Sequence, residues 1–109
     1  MKLNSLTFAG LCAAFVLAAA PVHAEGNAQA GKEKNAMCAG CHGIAGYRTA
    51  YPEVYSVPKL GGQSAAYIVN ALKAYKSGDR SHPSMTAIAG GLSDQDMADL
   101  AAYYSGGGK

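Results

Sequence analysis

The sequence predicts an all-α domain of about three to five helices joined by long loops. Two observations carry this. Apolar residues recur at helical spacing in two well-capped stretches of the C-terminal half, and no stretch sustains the period-two alternation of β-branched residues that marks a strand. A third observation concerns what the loops surround. Once an N-terminal export segment is set aside, 85 residues are left, close to the size at which one chain buries too little apolar surface for a comfortable margin, so a staple is expected.

The export segment is residues 1–24. Lys2, an apolar run from Leu6 to Ala20 and the triplet Val22-His23-Ala24 form the three parts of a secretory signal, with cleavage expected before Glu25. The run is 15 residues, shorter than the roughly 20 needed to span a bilayer, so no retained anchor is expected. Cys12 lies inside it behind Leu11, where a lipid-attachment site wants a small residue. Residues 25–109 are expected to form one domain, exported to the periplasm.

The first helix of that domain is expected to have Asn27 as N-cap and to run from Ala28 to about Cys38, with a poor apolar stripe interrupted by Gly31. Residues 43–62 hold four glycines, Gly43, Gly46, Gly61 and Gly62, together with Pro52 and Pro58, and read as loop. Loops of that length are uncommon in a compact domain unless they have something to wrap. A second helix is capped by Ser64, repeats Tyr67, Ile68, Ala71, Leu72 and Tyr75 at helical spacing, and ends at Gly78. Gly78 to Gly91 reads as another loop. Ser93 with Asp96 three residues later resembles a capping box and opens a last helix whose buried stripe is Met97, Leu100, Ala101 and Tyr104. The terminal Gly106-Gly107-Gly108-Lys109 reads as a frayed tail.

After removal of the export segment only Cys38 and Cys41 remain, so no multi-bridge disulfide framework is available. Cys38-Ala39-Gly40-Cys41-His42 is the C-x-x-C-H haem-attachment pattern. Its spacing has a mechanical reason. Two thiols must reach two vinyl groups along one porphyrin edge, two intervening residues bring both sulfurs to one side of a turn, and the next residue projects beneath the ring as an iron ligand. Small Ala39 and Gly40 let the turn lie against the haem edge, and Gly43 lets the chain bend away. A thioredoxin-like pair would need a βαβ surround, which is absent. A zinc site would need four ligands, and beyond Cys38, Cys41 and His42 the mature chain offers only His82. One haem c, covalent through Cys38 and Cys41 with His42 on the metal, is therefore the expected staple.

The sixth iron position has four candidates, Met37, Met85, Met97 and His82. Met37 precedes the first thiol and cannot reach the opposite haem face, and Met97 falls on the core stripe of the last helix. Met85 follows His82-Pro83-Ser84 in a stretch that reads as irregular, where proline stiffens the approach. It is the preferred ligand, with His82 as the alternative. A neutral thioether favours the ferrous state and raises the potential.

Together these residues resemble a class I cytochrome c of the small bacterial monohaem kind, which is also similar to one half of the dihaem cytochromes. The resemblance covers nearly all of residues 25–109 and adds Pro58-Lys59-Leu60, the run from Gly61 to Tyr67, Gly78-Asp79-Arg80 leading to Met85, and Leu92 to Asp96 opening a helix that ends in Tyr103-Tyr104. It implies that the Pro58 carbonyl accepts the His42 imidazole N–H, that Leu60 packs on the haem, and that Gly31 lets the first and last helices cross closely with Tyr103 against it. Arg80 either pairs with a haem propionate or is a solvated loop residue. A homodimer mimicking the dihaem pairing stays open beside a monomer.

The function this implies is a periplasmic electron carrier rather than an enzyme. Its partners would be a redox donor and acceptor, such as a membrane cytochrome complex and a terminal oxidase or reductase, docking on an apolar rim of Ala39, Gly40, Ile44, Ala87 and Ile88. The alternative is a cytochrome subunit that takes electrons from a larger oxidoreductase, such as a sulfur-compound or alcohol dehydrogenase. A peroxidase or gas sensor would need an open sixth position. Mature charge is +1, eight Lys and Arg against seven Asp and Glu, so no nucleic-acid partner is indicated.

Overall fold

The computed structural model describes residues 25–51 and 53–108; the expected signal peptide lies outside them. Five helices and one short hairpin follow in order: α1 (Ala28–Lys34), α2 (Ala36–His42), β1 (Arg48–Thr49), β2 (Tyr55–Ser56), α3 (Ala65–Ser77), α4 (Pro83–Gly90) and α5 (Asp94–Ser105). The two strands pair antiparallel, Arg48 opposite Ser56 and Thr49 opposite Tyr55. Among the described residues no helix is long and apolar enough to cross a membrane.

The cap signals act where expected. Asn27 accepts the Ala30 N–H at 3.0 Å, Ser64 accepts that of Tyr67 at 3.3 Å, and Ser93 and Asp96 exchange hydrogen bonds in a complete capping box. Gly78 closes α3 in the left-handed region, φ 91°, which a side chain would resist.

Two expectations are corrected. The first helix does not run unbroken to about Cys38: it stops at Lys34, turns at Asn35, and resumes as α2, which continues through His42. The Asn35 carbonyl takes both the Cys38 and the Ala39 N–H, at 2.9 and 2.8 Å, which pins the turn between the two helices. The stretch from Gly78 to Gly91 is not all loop, because Pro83 opens α4. Proline lacks only an N–H that the first helical position leaves unpaired in any case, and its fixed φ suits the helix. Met85 therefore sits in a first helical turn and not in irregular chain.

The core is centred on α5. Its buried face is Met97, Leu100, Ala101 and Tyr104, as its spacing predicts, joined by Ile68 and Leu72 of α3 and Ala89 of α4. Helix α5 packs on α1 and α3, and α3 on α4. Burying each large apolar side chain contributes about 1.5–3 kcal/mol. At Gly31 the helices α1 and α5 nearly touch: a methyl group there would collide with the Asp99 carbonyl and come within 2.8 Å of Tyr103 Cβ. Beside this crossing, the carboxylate of Asp99 accepts the Asn27 N–H at 2.8 Å, Gln95 Nε2 at 2.9 Å and Lys34 Nζ at 2.7 Å. Lys34 also reaches Asp96 at 2.8 Å, so one ammonium clasps two of the three carboxylates of the last helix.

Candidate haem site

Helix α2 presents Cys38, Cys41 and His42 in its final turns. Residues three apart lie on one helical face, so both sulfurs project to the same side. None of the seven residues of α2 is buried against protein; its thiols and imidazole instead line a cavity of about 250 Å³. Pro58 O stands 2.6 Å from His42 Nδ1. A carbonyl can only accept, so Nδ1 carries the hydrogen and Nε2 keeps the lone pair that a metal requires.

The remaining walls are mostly apolar. Helix α3 contributes Tyr67, Ile68, Ala71, Leu72 and Tyr75, α4 contributes Met85 and Ile88, and α5 contributes Leu100 and Tyr104; Tyr55, Val57, Pro58 and Leu60 come from the hairpin and the chain after it. The Tyr104 hydroxyl is buried in this wall with no well-placed hydrogen-bond partner among the described residues. Burial, with the neighbouring Cys38 thiol adding to it, pushes its pKa up to about 12. Burial also raises the Cys38 thiol, whereas a redox-active cysteine is held low. Among the described residues no cluster of three or more His, Cys, Asp or Glu is arranged to hold a bare metal ion.

All seven residues expected at the site, Cys38, Cys41, His42, Pro58, Leu60, Arg80 and Met85, line this one cavity. Met85 is half-buried and packs against the core. Of the rival methionines, Met97 is 0 % exposed within the core, and Met37, which also lines the cavity, is 68 % exposed. Arg80 lies over the Tyr75 ring, its guanidinium carbon 4.6 Å from the centroid, with both residues on the cavity wall. Three contributors were not foreseen. Tyr55 and Val57 come from a hairpin too short to leave a periodic signal, and the Tyr104 hydroxyl was hidden in a stripe read only for packing. His82 also lines the cavity, as the N-cap of α4; the proline after it is the signal that marks it.

An apolar cavity with two thiols on one helical face, an imidazole with its lone pair free and a thioether in the same lining matches the donor set of a covalently attached haem. Helices and loops enclosing such a cavity define a class I haem c protein. The profile of the Cytochrome c family matches residues 24–105, and the chain belongs to that family. It is 47 % identical over 83 residues to cytochrome c-554(548) of Halomonas halodenitrificans, covering 73 % of this chain and 95 % of that protein. It is 42 % identical over 83 residues to cytochrome c4 of Pseudomonas aeruginosa, covering 76 % of this chain but only 39 % of the relative. The structure of reduced recombinant cytochrome c4 from Pseudomonas stutzeri superposes with a TM-score of 0.58 at 38 % identity, over 73 % of this chain and 45 % of that one. The chain thus spans nearly all of the first relative and less than half of the cytochromes c4. It carries one haem c, covalent through Cys38 and Cys41, and it is an electron carrier.

Proposed function

We propose that residues 25–109, after removal of residues 1–24, form a periplasmic carrier that holds the haem iron between His42 and Met85 and passes single electrons between a redox donor and acceptor. The observation that carries this reading is that an oriented imidazole and a half-buried thioether, from separate helices, line the same apolar cavity. Bound haem supplies a one-electron ferric–ferrous couple, and a thioether ligand with apolar burial favours its ferrous side.

The chain's own groups do the rest. Pro58 fixes the ring of His42, so the imidazole does not swing away when the metal changes charge. Leu60, Ile68, Leu72 and Leu100 exclude water from the lining. Arg80, held over Tyr75, offers a charge-assisted contact to a propionate at the cavity wall. At the rim, Gly40, Ile44 and Ala87 are exposed, and Ala39 and Ile88 are partly so. That is enough for the small, short-lived contact typical of electron-transfer encounters.

Carbon monoxide added to the reduced holoprotein is the test. A closed thioether position excludes it, so the expected spectrum is unchanged. Rapid formation of a carbon monoxide adduct would overturn the reading and point to a gas-binding or peroxidatic site.

A further inference from the structure

We infer that His82 is a positioning residue for Met85, and that with Tyr55 it forms a latch tying the helix that bears Met85 to the hairpin that leads into Pro58. The inference rests on the reading of Met85 as the sixth ligand.

Helix α4 has eight residues and a single buried one, Ala89. So short a helix has little stability of its own. Met85 is its third residue, within the first turn, where backbone N–H groups have no partner inside the helix. His82 Nδ1 accepts the Met85 N–H at 3.5 Å. The turn is closed a second time by Thr86, whose Oγ1 accepts the His82 N–H at 3.4 Å while its own N–H reaches the His82 carbonyl at 2.8 Å.

Serine, threonine, aspartate and asparagine are the usual N-caps, and histidine is not among them. What the imidazole adds is reach. Its ring meets Tyr55 edge to face, centroids 5.1 Å apart at 70°. Tyr55 is anchored in β2, its N–H donating to Thr49 Oγ1 at 3.2 Å. Two residues later the Val57 N–H is held by the Tyr47 carbonyl at 3.0 Å, and the next residue is Pro58, which accepts from His42. One path of contacts therefore runs from the backbone of Met85 through His82 and Tyr55 to the support of His42. It passes outside the hydrophobic core, so a change in it acts on the cavity wall more than on the global fold.

The test is imidazole binding to the mature ferric holoprotein, read together with the sulfur-to-iron charge-transfer band. The wild type should show the band and bind imidazole weakly. His82→Ala should bind it about fivefold more tightly, the factor a typical N-cap is worth. Tyr55→Leu should give about threefold, from loss of the aromatic contact. The double variant should fall well short of the product, because both changes cut one latch. His82→Asn, which restores a cap without the ring, should recover part of the effect, and it carries the test if the alanine variant fails to fold. Ser93→Ala removes an equivalent cap from α5 and should leave imidazole affinity unchanged. If His82→Ala and His82→Asn bind imidazole no more tightly than Ser93→Ala, or if the two single effects multiply, the latch is refuted. A wild type lacking the charge-transfer band would instead overturn Met85 as ligand, and the inference with it.

Discussion

Asp99 is 2 % exposed and still ionised, because the Lys34 ammonium, the Asn27 N–H and the Gln95 amide all point at its carboxylate. Lys34, the first cause, together with those donors lowers its pKa to about 2 from 3.8, and Lys34 with Ser93 does the same for Asp96. Both groups are depressed in the folded state, so the stability they contribute is full above about pH 4 and is lost as pH falls through about 2. The thermal midpoint should be flat from pH 7 to 5 and drop steeply from pH 4 to 2, and Lys34→Met should lower the plateau and flatten that drop. An equal acid slope in the variant would place the effect elsewhere. At the attachment motif, Cys38→Ala should leave haem on the chain through Cys41 alone. The denatured pyridine spectrum then moves to that of a single thioether. Loss of all covalent haem would contradict independent attachment. The motif was legible residue by residue because its chemistry is written in five consecutive positions; the buried acceptor role of Asp99 was not, since it depends on Asn27 and Lys34 arriving from the other end of the chain.

The helices differ in how openly the sequence declares them. Ser64 and Gly78 bound α3, and Ser93 with Asp96 opens α5, because each end is fixed by neighbours within four residues. Helix α4 escaped notice since Pro83, Gly90 and Gly91 are common in loops, and its cap is a histidine. Met85 was read as a loop residue and lies instead in the first turn of α4, whereas the reading of Met97 as core packing agrees with its full burial. The break at Asn35 and the hairpin at Arg48–Thr49 and Tyr55–Ser56 are each only one or two residues wide, below what periodicity can resolve. The α1–α5 crossing gives an element-scale prediction. Gly31→Ala forces backbone apart at Asp99 and should destabilise the holoprotein by about 1–3 kcal/mol or more in denaturant unfolding. Ser93→Ala, which removes only one cap, should cost about 1 kcal/mol. A neutral Gly31→Ala would mean the helices separate freely.

At the scale of the described domain, α3, α4 and α5 share a small core centred on α5, while α2 and the hairpin face the cavity. The haem is therefore a structural member as well as the redox centre: none of the α2 residues is buried and of them only Cys38 packs against the core, so the haem gives that helix its main packing partner. With a near-neutral mature chain, electron exchange with a partner should vary little between low and moderate ionic strength. A steep salt dependence would reveal a charged docking face. Whether His42 and Met85 hold the same iron, as proposed, is decided by the absorption spectra of the Met85→Ala and Met97→Ala holoproteins. Met85→Ala should keep covalent haem, lose the sulfur-to-iron band and bind added imidazole or carbon monoxide, while Met97→Ala should keep the band and lose about 2–5 kcal/mol of stability. A Met85→Ala protein that retains the band would contradict the proposed ligation.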